Sequence, residues 1–535
     1  MKHTRIWKLC GSAVLIFSLA SVLHAQTFSV LYNFGDIIHD AASPSYSGII
    51  AQGRDGNLYT TTGYGGLNGF GTVIQITLTG QTTILYSFNG TDLDEAYPYG
   101  GLTLGTDGNF YGTTTGDLNL GGGKIFKVTP TGVLTFLHTF DLSDGRHPFA
   151  PPIQAADGNF YGTTAFGGAT GHGTVYKLTP SGQFSTIYSF DYTNGTYPYA
   201  PIIQGEDGNF YGTAWEGGTS GAGTVFRLTP QGKITTLHSF DFYTGSYPYS
   251  PLVQGSDGNL YGMTEVGGDN NYGAIFKVSP SGKFTLLHSL SLSDGQFPTV
   301  GLAQGTDGNF YGNAFGEPGT IFRVTPRGNL TVLHNFDITG GSHPEVTLAQ
   351  HTAGVLYGDT FNGGSHGYGA IYSLDAKLPP YAALVPRAAK VGKSVGILGQ
   401  GLIGTTAVSF NGLAAQFQVS SDTFLTATVP DGATTGLVTV TTPDGSLVSK
   451  QKFLVLPSIL SFTPTSGPVG TSVSITGVSL SQTVRVSFGG VGATDFHVNT
   501  DKKVTAIVPT GAKTGKIVIT TAGGTASSPG VFTVE

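Results

Sequence analysis

The stretch DGNFYGTTAFGGATGHGTVYKLTPSGQFSTIYSF, residues 157–190, decides the fold, because it is one copy of a repeat that fills most of the chain. Its opening triplet, Asp-Gly-Asn, recurs after 52 residues once and after 50 residues thereafter, starting at Asp55, Asp107, Asp157, Asp207, Asp257 and Asp307. A seventh copy lacks the triplet but continues as LYGDTFNGGSHGYGAIYSL from Leu356 to Leu374. Repeats of this length predict a propeller or a solenoid.

Each copy contains four apolar stretches of strand length, labelled A to D, which are separated by Gly, Pro, Asn or Asp. They are a PIIQ-like stretch before the triplet (A), NFYGTT (B), GTVYKLT (C) and FSTIYSF (D). Asp-Gly between A and B is a favoured hairpin turn. Apolar side chains fall on both faces of strands B and C, as with Phe160 beside Tyr161, so we expect sheets that are covered on both sides.

The number of strands predicts how the repeats close. A spare D-type strand, FSVLYNF at 28–34, precedes the first A strand, and the last copy ends near Leu374 without a D strand of its own. Pairing these two ends completes seven blades of four strands, so residues 26–376 are predicted to form a seven-bladed β-propeller whose last blade is closed by the N-terminal strand. An open β-solenoid is the alternative, but it requires no such match between the two ends.

Four motifs of the repeat also occur together in a known family. They are DGNFYGTT at 157–164, the Gly-Gly that follows it, GTVYKLTP at 173–180, and the endings LYSF and LHSF. With these motifs the chain resembles the GloVer tandem-repeat proteins of bacteria over roughly residues 28–375. The resemblance implies an exported, repeat-built surface protein with a variable C-terminal attachment region, and it brings no catalytic residues.

Two related units follow the repeats, at 381–456 and 458–535. Both alternate apolar and polar residues between frequent turns, as β-sandwich strands do, and both contain the stretch VP-x-G-A-x-T-G. The second unit also carries Pro464, Gly467, Gly470 and Gly477. On these features the units resemble IPT/TIG domains, the immunoglobulin-like fold shared by plexins and some transcription factors. In the first unit, Arg387 begins a three-residue departure from the Thr-Ser-Gly turn of that family.

The overall composition limits the class of partner. Charged residues make up 11% of the 535 residues and the formal net charge is -7, so we expect no basic surface that displaces counterions from a nucleic acid. A hydrophobic content of 39% is sufficient for a packed core and argues against disorder. The composition therefore favours a folded protein that does not bind nucleic acid.

The N terminus predicts export. A basic start, an apolar run from Ala13 to Leu23 that is too short to span a bilayer, and Ala25 are together typical of a signal peptide at 1–25. We therefore expect a secreted, periplasmic or cell-surface protein with no transmembrane segment after the signal peptide. The single cysteine, Cys10, lies within that peptide, so the mature chain is expected to contain no disulfide and no thiolate site.

Differences between the repeats predict where a ligand binds. The A–B and C–D turns are nearly invariant and are expected to form a structural face, whereas the B–C and D–A loops vary and share the opposite face. The candidate binding residues on the B–C loops are Tyr64, Phe166, His172, Trp215, Glu216, Glu265, Tyr272, Phe315, Phe361 and His366. Aromatic side chains flanked by hydroxyls and amides suit a sugar ring or a peptide.

Some residues of the variable face have a simpler interpretation. On the D–A loops, Tyr99, Tyr199 and Tyr249 belong to a recurrent Tyr-Pro-Tyr motif, which favours packing between blades over contact with a ligand. The repeated Asp-Gly turns lack the alternating carboxylates of a calcium-binding loop, so we assign them to hairpins. We assign no catalytic residue, no metal ligand and no cofactor.

Three functions follow from the sequence as hypotheses. The leading one is an exported, non-catalytic binding or adhesion protein that recognises an extracellular glycan or a protein or peptide ligand, with the sandwiches as a stalk. A secreted glycan hydrolase or lyase is the second, because Glu216, Glu265 and Glu317 lie on consecutive repeats of the variable face. The third is a structural component of the cell envelope. The sequence does not name the ligand or the oligomeric state.

Overall fold

The computed structural model describes residues 26–35, 39–44, 48–90, 92–119 and 121–535. The predicted signal peptide at 1–25 lies outside the described residues. The described chain is built of strands and turns, with a short 3-10 helix at Leu93–Glu95. Within these ranges, no helix is both long enough and apolar enough to span a lipid bilayer. The protein is therefore all-β, as the sequence predicts.

The repeat region forms antiparallel four-stranded sheets, and seven of them lie in the described part of the chain. In each sheet the strands pair in the order A, B, C, D, and strand A is only two residues long. Sheet 1 comprises Ala51–Gln52, Leu58–Thr62, Thr72–Ile76 and Thr82–Ser87, and sheet 2 comprises Thr103–Leu104, Phe110–Thr114, Lys124–Val128 and Leu134–Thr139. Sheet 3 comprises Ile153–Gln154, Phe160–Thr164, Thr174–Leu178 and Phe184–Ser189, and sheet 4 comprises Ile203–Gln204, Phe210–Ala214, Thr224–Leu228 and Ile234–Ser239. Sheet 5 comprises Val253–Gln254, Leu260–Thr264, Ala274–Val278 and Phe284–Ser289, and sheet 6 comprises Ala303–Gln304, Phe310–Ala314, Thr320–Val324 and Leu330–Asn335.

Sheet 7 takes its strands from both ends of the repeat region. Its A, B and C strands are Ala349–Gln350, Leu356–Thr360 and Ala370–Asp375, and its fourth strand is the N-terminal strand Thr27–Asn33. The N-terminal strand pairs antiparallel with the C strand, so that Phe28 lies opposite Leu374. The predicted pairing of the two ends is therefore present.

Short bridges also join the first and last repeats near their A strands. Gly48–Ile49 pairs in parallel with Val346–Thr347, and Ala41–Ala42 pairs with Tyr64–Gly65. Ile49 forms a further parallel bridge with Gly101, at the start of the second repeat. The entries to the A strands of sheets 7, 1 and 2 consequently lie side by side.

Apolar clusters fill the space between successive sheets. Between sheets 2 and 3, for example, Tyr111 stacks on Phe160 with the ring centroids 3.9 Å apart. The same kind of cluster recurs between each pair of neighbours, and one of these clusters joins sheet 7 to sheet 1 through Tyr357, Leu58 and Ile74. Each large side chain buried in this way contributes about 2–3 kcal/mol of transfer free energy. Strands B and C are apolar on both faces because both faces are covered.

A ring stack joins the outer strands of neighbouring sheets. His138 in the D strand of sheet 2 stacks on Phe184 in sheet 3, with the centroids 3.7 Å apart. The same stack, also at 3.7 Å, joins His238 to Phe284. It recurs where the ends meet, because the ring of Phe28 lies 3.7 Å from that of His334. The N-terminal strand thus occupies the position that a D strand occupies in the internal sheets.

The repeated Asp-Gly-Asn triplet forms a hydrogen-bonded turn between strands A and B. In the third repeat, one carboxylate oxygen of Asp157 accepts hydrogen bonds from the Asn159 side chain and the Tyr161 hydroxyl, each at 2.7 Å. The other oxygen accepts from the Asn159 backbone amide at 3.0 Å. Burial opposes ionisation, but these donors outweigh it and lower the pKa of Asp157. The carboxylate therefore holds the turn against the base of strand B.

The region after the repeats contains two further sets of paired strands. From 381 to 456 one sheet comprises Ala383–Val385, Ser394–Leu398, Phe424–Thr428 and Phe417–Val419, a second comprises Leu413–Ala414, Ala407–Phe410, Val438–Thr442 and Gly445–Val448, and Ala388–Ala389 pairs with Leu454–Val455. From 458 to 535 the sheets comprise Ser458–Thr463, Ser472–Val478, Lys503–Ile507 and Phe496–Thr500, and Ser466–Gly467, Gly524–Val534, Gly515–Thr521, Thr483–Phe488 and Val491–Gly492. Each set encloses one apolar cluster between its sheets.

The first of these units contacts the A–B hairpins of the repeats. The Thr423 hydroxyl donates a hydrogen bond to the Arg54 carbonyl at 2.7 Å, and the Arg54 guanidinium lies 4.6 Å from the Phe424 ring centroid. On another side, Lys452 lies 3.7 Å from Glu206. The nearly invariant face of the repeats is therefore covered in part by the first C-terminal unit.

A substitution at Phe28 tests whether the N-terminal strand completes sheet 7. Replacement of Phe28 by Ala should lower the free energy of unfolding by about 2 kcal/mol, because a half-buried ring loses its contacts with His334, Phe336 and Tyr372. Chemical denaturation of the chain 26–535 measures the change. Phe284→Ala is the matched control and should cost a similar amount, since it removes the same stack inside the chain. An unchanged midpoint for Phe28→Ala alone would contradict the pairing of the two ends.

A substitution at Asp157 tests how far its carboxylate stabilises the A–B turn of the third repeat. Asp157→Ala should lower stability by about 1 kcal/mol at neutral pH, a modest value because the carboxylate is partly exposed. Because the pKa of Asp157 is lower in the folded state, ionised Asp157 stabilises that state at pH values above the ordinary Asp pKa of about 3.9. This stabilisation is lost as the pH falls through the pKa that Asp157 has in the folded protein. The difference in melting temperature between wild type and variant should therefore shrink at about pH 2. A chelator should leave the melting temperature unchanged, and a large drop would favour a calcium site instead.

Candidate functional site

The loops of the variable face are joined around the repeats by seven residues in a strained conformation. Each is a non-glycine residue with φ between 47° and 60° that directly precedes a proline: Ser43, Tyr97, His147, Tyr197, Tyr247, Phe297 and His343. A positive φ costs a non-glycine residue about 1–3 kcal/mol, and such residues persist where their surroundings hold them. They cluster at binding and switch sites in proteins, so this face is a candidate site.

Backbone hydrogen bonds hold these residues in place. The Tyr197 amide donates to the His172 carbonyl at 3.1 Å in the preceding B–C loop, and the Tyr197 carbonyl accepts from the Trp215 amide at 3.2 Å in the next one. At the meeting of the two ends, the Ser43 amide donates to the Tyr368 carbonyl at 2.9 Å. Each strained residue thereby fixes the position of the loops beside it.

Aromatic rings from the first five repeats form a connected series on this face, here called the aromatic arc. Its members are Tyr64, Tyr97, Tyr99, Phe149, Phe166, Tyr197, Tyr199, Trp215, Tyr247 and Tyr249. Along it, the centroids of Phe149 and Tyr199 are 5.2 Å apart and those of Tyr199 and Tyr249 are 4.8 Å apart. The Tyr99 hydroxyl donates to the Tyr64 hydroxyl at 3.1 Å. Because one ring contacts the next across successive repeats, packing of these side chains also builds the surface.

Trp215 lies within the arc and has a charged neighbour. Its ring centroid is 5.0 Å from that of Tyr247 and 5.9 Å from that of Tyr199. Its indole N–H donates to a carboxylate oxygen of Glu265 at 3.4 Å. Burial raises the pKa of Glu265, and the hydrogen bond from Trp215 opposes that rise. Trp215, Glu265 and the neighbouring tyrosines are all partly exposed, so they can contact a ligand.

The remaining candidate residues fall into two groups. Phe166 belongs to the arc and His172 adjoins it, with ring centroids 4.9 and 6.2 Å, respectively, from that of Tyr197. Outside it, Tyr272 pairs with Phe297, Phe315 pairs with His343, the Phe361 amide donates to the His343 carbonyl, and His366 is exposed. The structure therefore brings the candidates of the first four repeats and Glu265 to the arc or its border, whereas Tyr272 and the candidates of the last two repeats lie outside it.

The three glutamates have different neighbours. Glu265 accepts from Trp215, whereas Glu317 is largely exposed and lies 3.8 Å from His343. Glu216 exchanges backbone hydrogen bonds with Thr196, at 2.9 and 3.2 Å. Glu265 is therefore the glutamate whose carboxylate contacts the arc directly.

A buried acid on this side of the seventh repeat was not identified from the sequence. Asp359 is fully buried, and neither of its carboxylate oxygens has a hydrogen-bond partner within the described residues. Burial, and then the charge of Glu345, raise the pKa of Asp359 well above its ordinary value, which favours the protonated form. The corresponding Thr163 of the third repeat donates to the Ala200 carbonyl at 3.0 Å. The replacement of that threonine by Asp in the repeat pattern was the available signal.

Comparisons with known families match the repeat region and the second C-terminal unit. A family model described as the Gloeobacter/Verrucomicrobia repeat matches residues 15–154 and 98–317, more than half of the chain. A model of the IPT/TIG domain matches residues 457–534. The first match confirms the resemblance of the repeats, and the second confirms that of the unit at 458–535. A search of the curated proteins finds no match.

Solved structures show only distant likeness. A surface glycan-binding protein from Prevotella bryantii is 18% identical, with a TM-score of 0.22, and the match covers 27% of this chain and 38% of that one. A fungal alcohol oxidase of the AA5 family is 14% identical, with a TM-score of 0.45, covering 79% and 99%. PorZ, a surface component of the type-IX secretion system of Porphyromonas gingivalis, is 13% identical, with a TM-score of 0.40, covering 78% and 60%. These likenesses carry no inference about function.

The bond between Trp215 and Glu265 can be tested by pH. The fluorescence of Trp215 should change as Glu265 loses its proton, with a midpoint above the ordinary Glu pKa of about 4.3, because burial raises the pKa of that carboxyl. A fluorescence titration of the chain 26–535 measures it, since that chain contains no other tryptophan. Glu265→Gln should abolish the transition, whereas Glu216→Gln should retain it. A transition that survives in Glu265→Gln would contradict the assignment.

Proposed function

We propose that this chain, which belongs to the Gloeobacter/Verrucomicrobia repeat family, is an exported, non-catalytic protein that binds a neutral glycan on the aromatic arc. The observation that carries the proposal is the set of partly exposed rings between Tyr64 and Tyr249, which the buried rings of Tyr99 and Phe149 connect and which strained loop residues hold in place. Sugar rings present C–H groups on one face and hydroxyls at their edges, so they bind to aromatic side chains bordered by hydrogen-bonding groups.

We infer a complete architecture for this protein: a signal peptide at 1–25, a closed seven-bladed β-propeller at 26–376, and two immunoglobulin-like IPT/TIG domains at 381–456 and 458–535. The clusters that follow one another between the sheets and return from sheet 7 to sheet 1 support the closed propeller. The paired sheets around two separate apolar clusters support the two sandwiches. In this arrangement the sandwiches act as a stalk, and the protein is secreted, periplasmic or attached to the cell surface.

The charges on the variable face favour a neutral ligand. Glu216 and Glu265 border Trp215, Glu317 lies on the B–C loop of the sixth repeat, and Glu345 lies on the D–A loop that follows it. Carboxylates in this position repel an acidic polysaccharide, and they accept hydrogen bonds from the hydroxyl groups of a neutral one. The exposed hydroxyl of Tyr64, which accepts from that of Tyr99, supplies a further hydrogen-bonding group.

Two other functions follow from the same face. A glycan hydrolase or lyase would need an acid with a raised pKa, and the burial of Glu265 is the observation in its favour. Unchanged turnover of a glycan after Glu216, Glu265 and Glu317 are all replaced by Gln would exclude this activity at these residues. A purely structural envelope component would bind no soluble glycan.

A panel of immobilised neutral and acidic polysaccharides tests the main proposal. The chain 26–535 should bind a neutral polysaccharide, and Trp215→Ala should weaken binding by about tenfold or more, because the largest exposed ring of the arc is lost. Isothermal titration calorimetry with oligosaccharides of the best ligand gives the dissociation constant of each variant.

The control variant removes an aromatic side chain on the same face but outside the arc. Tyr243 is 85% exposed and lies in a D–A loop of the same face, but it is not part of the arc. Tyr243→Ala should bind as wild type does. Full binding by Trp215→Ala, or equal loss in Tyr243→Ala, would place recognition elsewhere.

A further inference from the structure

A cavity lies on the side of the repeats opposite the aromatic arc, where the first C-terminal unit contacts the A–B hairpins. It has a volume of about 590 Å³, which is within the range of about 300–1,000 Å³ that small-molecule sites occupy. One wall is formed by the hairpins of repeats 4 to 6, including Glu206, Gln254 and Gln304. The other is formed by residues 446 and 448–452 together with Tyr381 and Arg387. Small ligands bind preferentially at boundaries of this kind between domains.

Lys450 enters this cavity without an acidic partner for its hydrogen bonds. Its ammonium group donates to the Gln304 backbone carbonyl and to the Gln350 side-chain oxygen, each at 3.3 Å. It also lies 4.5 Å from the centroid of the Tyr381 ring. Burial lowers the pKa of Lys450 to about 8. The protein thus holds a cation in a poorly hydrated place with only neutral acceptors.

Arg387 is the second cation of the cavity. Its Nε is buried and has no hydrogen-bond partner in the described part of the chain. Burial lowers the pKa of Arg387, and the charge of Glu206 partly offsets this effect. A buried donor without an acceptor costs about 1–3 kcal/mol, and more when the group is charged.

The charges of the cavity do not cancel. Lys452 also lines it and lies 3.7 Å from Glu206, which is the one acidic residue in its lining. Three cationic side chains therefore face a single carboxylate. The side-chain amides of Gln254, Gln304 and Gln451 add donors and acceptors that suit hydroxyl groups.

We propose that this cavity binds a small hydroxylated carboxylate of the size of a uronic acid, whose carboxylate is held between Arg387 and Lys450. The planar guanidinium suits a carboxylate, because it donates two parallel N–H groups, and the ammonium supplies a point charge. The glutamine side chains hydrogen-bond the hydroxyls. This site is separate from the aromatic arc and differs from it in charge, so neither proposal depends on the other.

The experiment compares glucuronate with glucose at constant ionic strength, using the chain 26–535. Glucuronate should raise the melting temperature and bind measurably by calorimetry, whereas glucose should do neither. Lys450→Met and Arg387→Gln should each weaken glucuronate binding by about tenfold or more, because each removes a charged hydrogen bond from a buried anion. Lys513→Gln, which removes an exposed lysine from the second unit, should leave binding unchanged.

The variant Arg387→Lys distinguishes a loss of binding from a loss of folding. It keeps the charge but loses the paired N–H groups, so it should fold as wild type does and still bind less tightly. The melting temperature of each variant without ligand shows whether it is folded. Equal binding of glucuronate to wild type and to a folded Arg387→Lys would contradict the proposed geometry.

The pH dependence gives an independent measurement. Binding requires protonated Lys450, so it should weaken between about pH 7 and about pH 9 as that side chain loses its proton. The other charged or titratable groups that line the cavity are Arg387, Lys452, Glu206 and Tyr381. The decline should be absent in Lys450→Met. Equal effects of glucuronate, phosphate and chloride, or no effect of glucuronate, would overturn the proposal.

Discussion

Each sheet of the repeats is apolar on both faces and can exclude water only by packing between two others. Neighbouring sheets meet through one cluster after another, with pairs such as Tyr111 and Phe160 stacked at 3.9 Å. The series returns to its start because sheet 7 packs on sheet 1 and takes its last strand from the N terminus. No sheet is stable alone, so the loops on both faces owe their positions to this mutual packing.

The sequence predicts the strands and turns of the repeat region well, because the same pattern of residue types occurs in seven copies. Strand lengths, hairpin turns and the spare strand at 28–34 all follow from alternation of residue types and from turn-forming residues. Residues of the variable face are harder to predict, because their role depends on contacts between loops. Trp215 and Glu265 are both candidates from the sequence, but their hydrogen bond joins two repeats and is visible only in three dimensions.

The basic cavity shows why a nearly invariant surface can still bind a ligand. From the sequence, the A–B hairpins serve the repeat alone, and their uniformity indicates no recognition. The first C-terminal unit supplies what the hairpins lack, because Arg387 and Lys450 come from that unit and complete a wall opposite Gln254 and Gln304. In the sequence, Arg387 departs from the Thr-Ser-Gly turn of the family that its unit resembles, but the surface opposite Arg387 is formed by the hairpins of the repeats.

The pairing of Thr27–Asn33 with Ala370–Asp375 has a consequence for biogenesis. Strand Thr27–Asn33 is synthesised well before its partner, with the other strands of the repeat region between them. Until then, one edge of backbone donors and acceptors stays open to any other strand, including the same segment of a second nascent molecule. A chain of this kind that crosses a membrane in an extended state would form the pairing only on the far side, where both strands are present together.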